Sequence, residues 1–236
     1  MYRILSAALL GWGNYSVCGE KERDLRVLDH PAKDLLLSKI RSEQTNRENF
    51  VRYSHRLLRL LLEYTFGLEP FSTKTGRTPT GAQFQECELK HAGNYCIVLI
   101  LRAALSMVGE TLYTMPDIHT GFVLIQRDEE SPGKEPKFYY AKLPKNIEEM
   151  RILLVDPMLA SGGSSALAIE KLKSYGVKEE NIVFINLISS KTGVDSIFEK
   201  HPRIRLVTAA IDPLINEDKF IIPGLGDFGD RYFGTE

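Results

Sequence analysis

The chain has 236 residues, of which 43% are hydrophobic and 26% are charged, a composition typical of globular proteins and not of fibrous or disordered ones. A chain of this length buries enough surface to fold without disulfides or a structural metal. There are 30 lysines and arginines against 31 aspartates and glutamates, for a net charge of −1. No global positive field is present to attract a phosphate backbone, so nucleic acid is not expected as a partner.

The cysteines and the longest apolar runs indicate in which cellular compartment the protein is expected. The cysteines are few and scattered, which argues against a disulfide framework or a zinc site; they are Cys18, Cys87 and Cys96. This favours a reducing compartment, and we expect a cytoplasmic protein. No apolar run approaches the roughly 18 residues that span a membrane, so no membrane partner is expected.

The first 28 residues are expected to form an N-terminal extension. The apolar run from Ile4 to Trp12 has about the length of a signal-peptide core, but a serine and a glycine interrupt it and no clear cleavage site follows. An extension is therefore favoured over secretion. Residues 29–236 are expected to form one domain.

Two helices are predicted at the start of that domain. Asp29-His30-Pro31 can cap and start the first, and Thr45-Asn46-Arg47-Glu48 has the capping-box spacing that starts the second. Apolar residues of the second recur at steps of three and four and form one stripe; they are Phe50, Tyr53, Leu57, Leu60, Leu61 and Tyr64. The opposite, arginine-rich face is interpreted as a solvated surface or a subunit contact, with a membrane-surface or RNA-binding face as the weaker alternative.

From residue 95 onwards, short apolar runs alternate with helical patterns, which is typical of parallel strands buried on both faces. The predicted strands are Tyr95–Leu101, Gly121–Gln126, Arg151–Val155, Ile182–Ile188 and Arg205–Ala209, and the predicted helices cover about 104–114, 164–175 and 192–200. The expected fold class is α/β, with an open, mostly parallel sheet of about five strands flanked by helices. A charged, proline-containing segment at about 127–143 predicts a protruding β-hairpin arm.

The first motif that indicates chemistry runs from Asp156 to Ser165. A buried strand ends in the aspartate, and ligands of open parallel sheets bind beyond the carboxyl ends of the strands. Gly162 and Gly163 let backbone N–H groups approach an anion, serine hydroxyls add donors, and the next helix adds its dipole. The pattern is neither a P-loop nor G-x-G-x-x-G. It predicts a site for ribose 5-phosphate, with an ordinary capped turn as the alternative.

The second motif is the C-terminal segment, at about 211–236. Four glycines and a proline alternate with aromatic residues in its last 17 positions, a composition that disordered tails lack. We expect it to fold against the site, where its backbone can read the edge of a flat heterocycle and Phe220 or Phe228 can pack on the face. A structural C-terminal cap is the alternative.

Together with Leu101-Arg102-Ala103, the two motifs resemble the uracil phosphoribosyltransferases, a family of type I phosphoribosyltransferases, from about residue 30 to the end of the chain. The resemblance implies transfer of a phosphoribosyl group from 5-phosphoribosyl 1-diphosphate (PRPP) to uracil, giving UMP and pyrophosphate with Mg²⁺ as cofactor. It also implies a homodimer or homotetramer and leaves open GTP as an effector.

Two alternatives to an active enzyme remain. The first is a catalytically silent paralogue that binds pyrimidine nucleotide as a regulatory or interaction subunit, which the intact motif residues argue against. The second is an RNA-binding pyrimidine regulator, which the balanced charge disfavours.

The resemblance also implies roles for individual residues. Asp156 would hold the ribose hydroxyls, Arg102 and Arg127 would contact the pyrophosphate, and Asp227 would approach PRPP and its Mg²⁺ through water, the metal being held mainly by PRPP. The loop around the 5-phosphate comprises Pro157, Met158, Leu159, Ala160, Ser161, Gly162, Gly163 and Ser164. The uracil contacts, mostly from backbone, are Ile221, Gly226, Asp227 and Phe228. The implied catalytic residues are Asp156, Arg127 and Asp227.

The chain departs from the family pattern at a few positions. Ala104 stands where glycine is common, in a loop where a missing Cβ helps the backbone. Ser161 stands where threonine is common and keeps the hydroxyl. The hairpin at 127–143 is slightly longer than in many relatives, and because water must be kept from the reactive sugar, we expect it to act as a lid. None of the five histidines is expected to be catalytic or to bind metal.

Overall fold

The computed structural model describes residues 23–90, 92–127 and 135–235, except for the side chain of Arg127. Expectations for residues 1–22, for Cys18, for His91 and for the hairpin tip at 128–134 lie outside the described residues. The strands are β1 (Asp24–Val27), β2 (Phe71–Arg77), β3 (Gln83–Leu89), β4 (Tyr95–Leu101), β5 (His119–Arg127), β6 (Pro136–Lys142), β7 (Arg151–Val155), β8 (Met158–Leu159), β9 (Ile182–Ser190), β10 (Arg205–Asp212), β11 (Leu214–Ile215) and β12 (Ile221–Ile222). The α-helices are α1 (Lys33–Arg41), α2 (Arg47–Gly67), α3 (Val108–Thr114), α4 (Gly163–Ser174), α5 (Lys191–Lys200) and α6 (Phe228–Phe233).

An eight-stranded sheet forms the centre of the fold. Its order is β1-β10-β9-β7-β4-β5-β6, and the short β8 also pairs with β9. Every pairing is parallel except that of β5 with β6. The predicted α/β class with a mostly parallel sheet is confirmed. The bounds of β4 and β7 coincide with the prediction, whereas β5, β9 and β10 are longer.

The sheet is larger than the predicted five or so strands because three of its members carry weak sequence signals. β1 is a half-exposed edge strand, β6 is the antiparallel return of the predicted hairpin, and β8 has two residues. β1 lies within the range expected to be an N-terminal extension, and it pairs in register with β10.

Helices cover both faces of the sheet, which explains the continuous apolar runs. Side chains of β4 alternate between the two faces. Ile97 and Leu99 belong to the core cluster that includes α2, whereas Cys96 and Val98 belong to the cluster that includes α4 and α5. Burial raises the pKa of the Cys96 thiol to about 12, consistent with the inert role expected of it.

The starts of the first two helices differ from the prediction. At α1 the residue before the helix is Ala32, which makes no side-chain cap. At α2 the cap is Asn46, whose side-chain oxygen accepts the N–H of Asn49 at 3.0 Å. The predicted capping box with Thr45 is wrong, because the Thr45 hydroxyl donates instead to the Lys39 carbonyl at 2.6 Å. Asparagine is a strong cap and lies one residue nearer the helix.

The long hairpin of β2 and β3 lies outside the central sheet and was not predicted. Its two strands pair only with each other in an antiparallel ladder. Most of its residues are exposed on both faces, so the alternation of apolar and polar residues that marks a half-buried strand is missing. Across the described residues, no helix combines the length and the apolar character needed to traverse a bilayer.

Candidate active site

Three predicted site residues follow or end neighbouring strands at one edge of the sheet. The central order β7-β4-β5 brings the carboxyl ends of these strands together. Asp156 follows β7, Arg102 follows β4, and Arg127 is the last residue of β5. The backbone therefore groups them as the resemblance implies, and the Arg127 side chain lies outside the described part of the chain.

A cavity of about 280 Å³ opens at this edge, around the start of α4. The predicted phosphate-loop residues that line it, together with the acid, are Asp156, Met158, Ala160, Ser161, Gly162, Gly163 and Ser164. Gly162 has a φ of +85° at the N-cap of α4, a conformation that favours glycine. The first turn of α4 thus presents its backbone N–H groups and serine hydroxyls where an anion would bind.

Two predicted loop residues do not line this cavity. Leu159 is fully buried in the core, and the Pro157 carbonyl accepts the N–H of Leu187 at 2.9 Å. These residues attach the loop to the sheet, and their side chains are not available to a ligand in the cavity.

Other elements complete the cavity with residues that the sequence did not mark. Glu135 and Pro136 line it from the base of the hairpin arm, Ser196 and Lys200 from α5, and Lys219 from the turn between β11 and β12. The lining thus carries two lysines and two acids, Glu135 and Asp156, so that charges of both signs lie beside the predicted phosphate loop. No local motif distinguishes the lysines, because only the fold brings their elements to the loop.

Gly193 supports the phosphate loop from behind. The Ser190 hydroxyl donates to the Ala160 carbonyl at 2.6 Å and accepts the N–H of Gly193 at 2.8 Å. A Cβ on Gly193 would lie only 2.4 Å from the Ala160 oxygen, so glycine is required for α5 to pack this closely on the loop. The sequence analysis missed this residue, although Ser-x-x-Gly after a buried strand was a visible signal.

A buried aspartate anchors the start of the C-terminal segment. Asp212 receives two hydrogen bonds from the Arg41 guanidinium, at 2.6 and 2.7 Å, and accepts the N–H of Gly224 at 2.9 Å. Gly224 has a φ of +58°, and a Cβ there would lie 2.0 Å from the Ile221 carbonyl. This anchor fixes the backbone between Ile221 and Gly226, the segment that the resemblance assigns to uracil.

The residues assigned to uracil differ in exposure. Gly226 and Asp227 are exposed, whereas Ile221 and Phe228 are buried. The Phe228 ring packs on Phe50 with centroids 5.3 Å apart, so it belongs to the core and cannot stack on a base. Any contact that Phe228 makes with uracil comes from its backbone, as the resemblance implies.

Arg102 connects the end of β4 to the C-terminal helix. Its guanidinium donates to the Asp230 carboxylate at 2.7 Å, and Asp227 caps the same helix by accepting the N–H of Asp230 at 2.9 Å. None of Arg102, Asp227, Ile221, Gly226 and Phe228 lines the phosphate cavity. The structure therefore brings most of the predicted phosphate-loop residues together in one cavity, and Arg102 lies beside the C-terminal segment that carries the residues assigned to uracil.

The substitution of alanine for the common glycine at residue 104 is accommodated. Ala104 is fully buried within the core cluster that includes α2. Among the non-glycine residues that the structure describes, Lys219 alone has a positive φ, so Ala104 has a backbone conformation open to any residue. The structure thus offers no conformational reason for glycine at this position.

Comparison with known proteins assigns the family. The family model for uracil phosphoribosyltransferase matches residues 27–235. The chain is 48% identical over 201 residues to a uracil phosphoribosyltransferase of Dictyostelium discoideum, covering 85% of this chain and 91% of that protein. It is 42% identical over 194 residues to the Saccharomyces cerevisiae enzyme, covering 82% and 88%. A solved structure, the AQ2163 protein from Aquifex aeolicus, matches with a TM-score of 0.78 at 27% identity and covers 90% of this chain and 99% of that one. The chain belongs to the uracil phosphoribosyltransferase family.

Proposed function

We propose that the chain transfers the 5-phosphoribosyl group of PRPP to uracil, giving UMP and pyrophosphate. The observation that carries the proposal is the cavity at the carboxyl edge of the sheet, where Asp156 is followed directly by the anion-binding loop that starts α4. Family membership and the anchored C-terminal segment support uracil as the acceptor.

PRPP binding follows from the donors and acceptors in the cavity. The 5-phosphate would accept hydrogen bonds from the backbone and hydroxyl groups of Ser161 to Ser164, where the dipole of α4 favours an anion. Asp156 would accept hydrogen bonds from the ribose 2′ and 3′ hydroxyls. Lys200 and Lys219 add positive potential. These contacts position the sugar without taking part in bond making.

The chemistry needs charge stabilisation and no protein nucleophile. A uracil ring nitrogen attacks C1 of the ribose, the C1–O bond to pyrophosphate breaks, and the proton of that nitrogen leaves with the pyrophosphate. Positive charge develops on the sugar and negative charge on the leaving group, so the guanidinium groups of Arg102 and Arg127 would stabilise the transition state. Pyrophosphate, with its higher charge, would compete with Asp230 for Arg102.

We propose that Mg²⁺ acts together with PRPP. The described residues contain no group of three or more histidines, cysteines or acids that could hold a metal, so the chain fits Mg²⁺ only if the pyrophosphate supplies most ligands. Asp227, exposed beside the C-terminal helix, would approach the ion through water. When bound, Mg²⁺ would neutralise charge on the leaving pyrophosphate.

We propose an extension at 1–28, whose strand β1 pairs with the central sheet, followed by one domain at 29–236, and a cytoplasmic location. A homodimer or homotetramer would cover exposed aromatic rings such as Phe71 and Phe84 on the β2–β3 hairpin, which light scattering would test. GTP as an effector is tested by turnover with and without it.

Pyrophosphate release with purified protein, uracil and PRPP tests the proposed function. We expect Mg²⁺-dependent release in equal amount to the UMP formed. The alternative is the catalytically silent paralogue. PRPP or UMP that raises the melting temperature without any pyrophosphate release would support that alternative and contradict ours.

A further inference from the structure

A chain of hydrogen bonds connects α2 and α3 to the C-terminal helix. Nε2 of His55 lies 2.6 Å from the Tyr232 hydroxyl, and Nδ1 of the same ring lies 2.8 Å from the Glu110 carboxylate. The other oxygen of Glu110 accepts a hydrogen bond from Arg59 at 2.7 Å. None of these four residues has a role in the site described above.

The buried carboxylate of Glu110 determines how His55 faces Tyr232. Burial acts to raise the Glu110 pKa, but the hydrogen bonds from Arg59 and His55 outweigh it and lower that pKa below its ordinary value. An ionised carboxylate can only accept hydrogen bonds, so Nδ1 of His55 must donate. The ring is thereby oriented, and in the neutral form Nε2 accepts the Tyr232 O–H.

Tyr232 in turn contacts the start of its helix. The Tyr232 and Phe228 rings stack with centroids 5.7 Å apart and an interplanar angle of 18°. Phe228 directly follows Asp227, the cap of α6. This helix has six residues, too few to be stable without tertiary contacts, so its orientation depends on what its side chains touch.

From these contacts we infer that His55 is a positioning residue, which fixes the uracil-binding backbone at 226–228 by holding the hydroxyl of Tyr232. The inference rests on the proposed function, which assigns that backbone to uracil. His55 touches no substrate in this scheme and acts only through Tyr232.

Other contacts keep α6 attached when this hydrogen bond is lost. Phe228 is buried in the core, and Arg231 donates to the carbonyls of Ile40, Leu225 and Ser42 at 2.6, 2.6 and 2.7 Å. Removing His55 should therefore leave the fold intact, while the backbone at 226–228 loses the support that Tyr232 gives it through the Phe228 ring. The expected effect is on uracil affinity and not on the chemical step.

Steady-state kinetics at saturating PRPP test this expectation. We expect His55→Leu and Tyr232→Phe each to raise the KM for uracil about fivefold, as the loss of the His55–Tyr232 hydrogen bond implies, with kcat changed less than about twofold. His55→Leu also removes the hydrogen bond to Glu110, which touches no residue assigned to uracil. The double variant should be no worse than the worse single variant, because both changes remove the same contact. His55→Gln, which can donate to Glu110 and accept from Tyr232, should restore most of the affinity.

Arg52→Ala is the matched control. Arg52 lies one turn away on α2, is well exposed and pairs with Glu48, so its loss should leave the KM for uracil unchanged. Wild-type KM in both His55→Leu and Tyr232→Phe, or multiplying effects in the double variant, would overturn the inference.

Hydrogen exchange of the ligand-free protein provides a readout that does not need activity. We expect His55→Leu to raise the exchange rate at 226–235 several-fold while the strands of the central sheet stay protected. Unchanged exchange at 226–235 would overturn the inference. If the wild-type protein forms no UMP, the proposed function fails, and this exchange experiment still decides whether His55 orders the segment.

Discussion

At the scale of single residues, a substitution of Asp156 tests whether this residue acts in substrate binding and not in stabilising the fold. Asp156 is half-buried on the lining of the cavity and accepts the N–H of Met158 at 3.5 Å, a contact that an asparagine oxygen keeps. Under the proposed function, substrate hydroxyls would be further partners of the carboxylate. We expect Asp156→Asn to lower kcat/KM by more than about tenfold while the melting temperature changes by less than about 2 °C. Asp117→Asn, a change at an exposed aspartate in the turn before β5, is the control. Wild-type turnover by Asp156→Asn would contradict the assignment of this carboxylate.

Gly193 permits a second prediction about single residues. A Cβ on Gly193 would meet the Ala160 carbonyl, so Gly193→Ala should cost about 2 kcal/mol in the free energy of unfolding and raise the KM for PRPP by displacing the phosphate loop. Gly109→Ala is the matched control, since a Cβ there meets nothing within 4 Å, and it should be neutral or stabilising by about 0.5 kcal/mol. Urea unfolding measures the stability of both variants, and steady-state kinetics measure their KM for PRPP. If the two variants have equal stability and equal KM, the close approach at Gly193 is not needed.

At the scale of elements, the buried His201 at the end of α5 leads us to expect that the stability of the fold depends on pH. The ring is buried, and in the part of the chain that the structure describes neither ring nitrogen has a hydrogen-bond partner. Burial and the nearby Lys173 charge lower the His201 pKa below its ordinary 6.5. Below pH 6.5 the unfolded chain then binds a proton that the folded chain does not, so the free energy of unfolding should fall with pH down to the folded-state pKa.

Replacing this histidine should remove that dependence. We expect the melting temperature of His201→Leu to fall less between pH 6.5 and pH 5 than that of the wild type. Glu179 titrates below this window, because its pKa is lowered from the ordinary value of 4.5. His119→Gln, at an exposed histidine, should keep the wild-type slope. A slope unchanged in His201→Leu would mean that other groups cause the acid sensitivity.

The strands and loops that could be predicted from the sequence are those with a local signal in the chain. The strands β4 and β7 were located to the residue because both of their faces are buried and their apolar runs are uninterrupted. The β2–β3 hairpin was missed because its exposed faces carry no apolar period. The phosphate loop was found because one local stretch holds the acid, the glycines and the serines. Lys200 and Lys219 were missed because separate elements bring them to the loop, and Gly193 was missed although Ser-x-x-Gly follows the buried strand β9.

At the scale of the whole molecule, the proposed site lies at the carboxyl edge of the sheet, and a buried ion-pair network that stabilises the fold lies at the amino edge. At the amino edge, the buried Glu69 accepts two hydrogen bonds from Arg151 at 2.8 Å and one from Arg205 at 2.8 Å. Arg151 begins β7 and Arg205 begins β10. Tyr95, which begins β4, donates its hydroxyl to the same carboxylate at 3.1 Å, so Glu69 connects the end of α2 to three strands. The site lies at the opposite edge.

Removing the Glu69 carboxylate should therefore affect stability alone. We expect Glu69→Ala to lower the free energy of unfolding by about 3 kcal/mol, because two partly buried guanidinium groups lose this carboxylate and only that of Arg205 keeps a second acid, Asp24. Below the melting temperature, kcat/KM should stay near that of the wild type. Glu63→Ala, at an exposed position of α2, should cost less than about 0.5 kcal/mol. Urea unfolding measures both; a loss under about 1 kcal/mol for Glu69→Ala would show that the network contributes little.

The central claim is that this chain makes UMP from uracil and PRPP. The most direct measurement is nucleotide formation from PRPP and Mg²⁺ with labelled uracil, and with cytosine, orotate, hypoxanthine and adenine as competing bases. We expect turnover with uracil and little or none with the other four bases, since the anchored backbone between Ile221 and Phe228 is proposed to contact the edge of uracil. Equal turnover with several bases, or none with any, would contradict it.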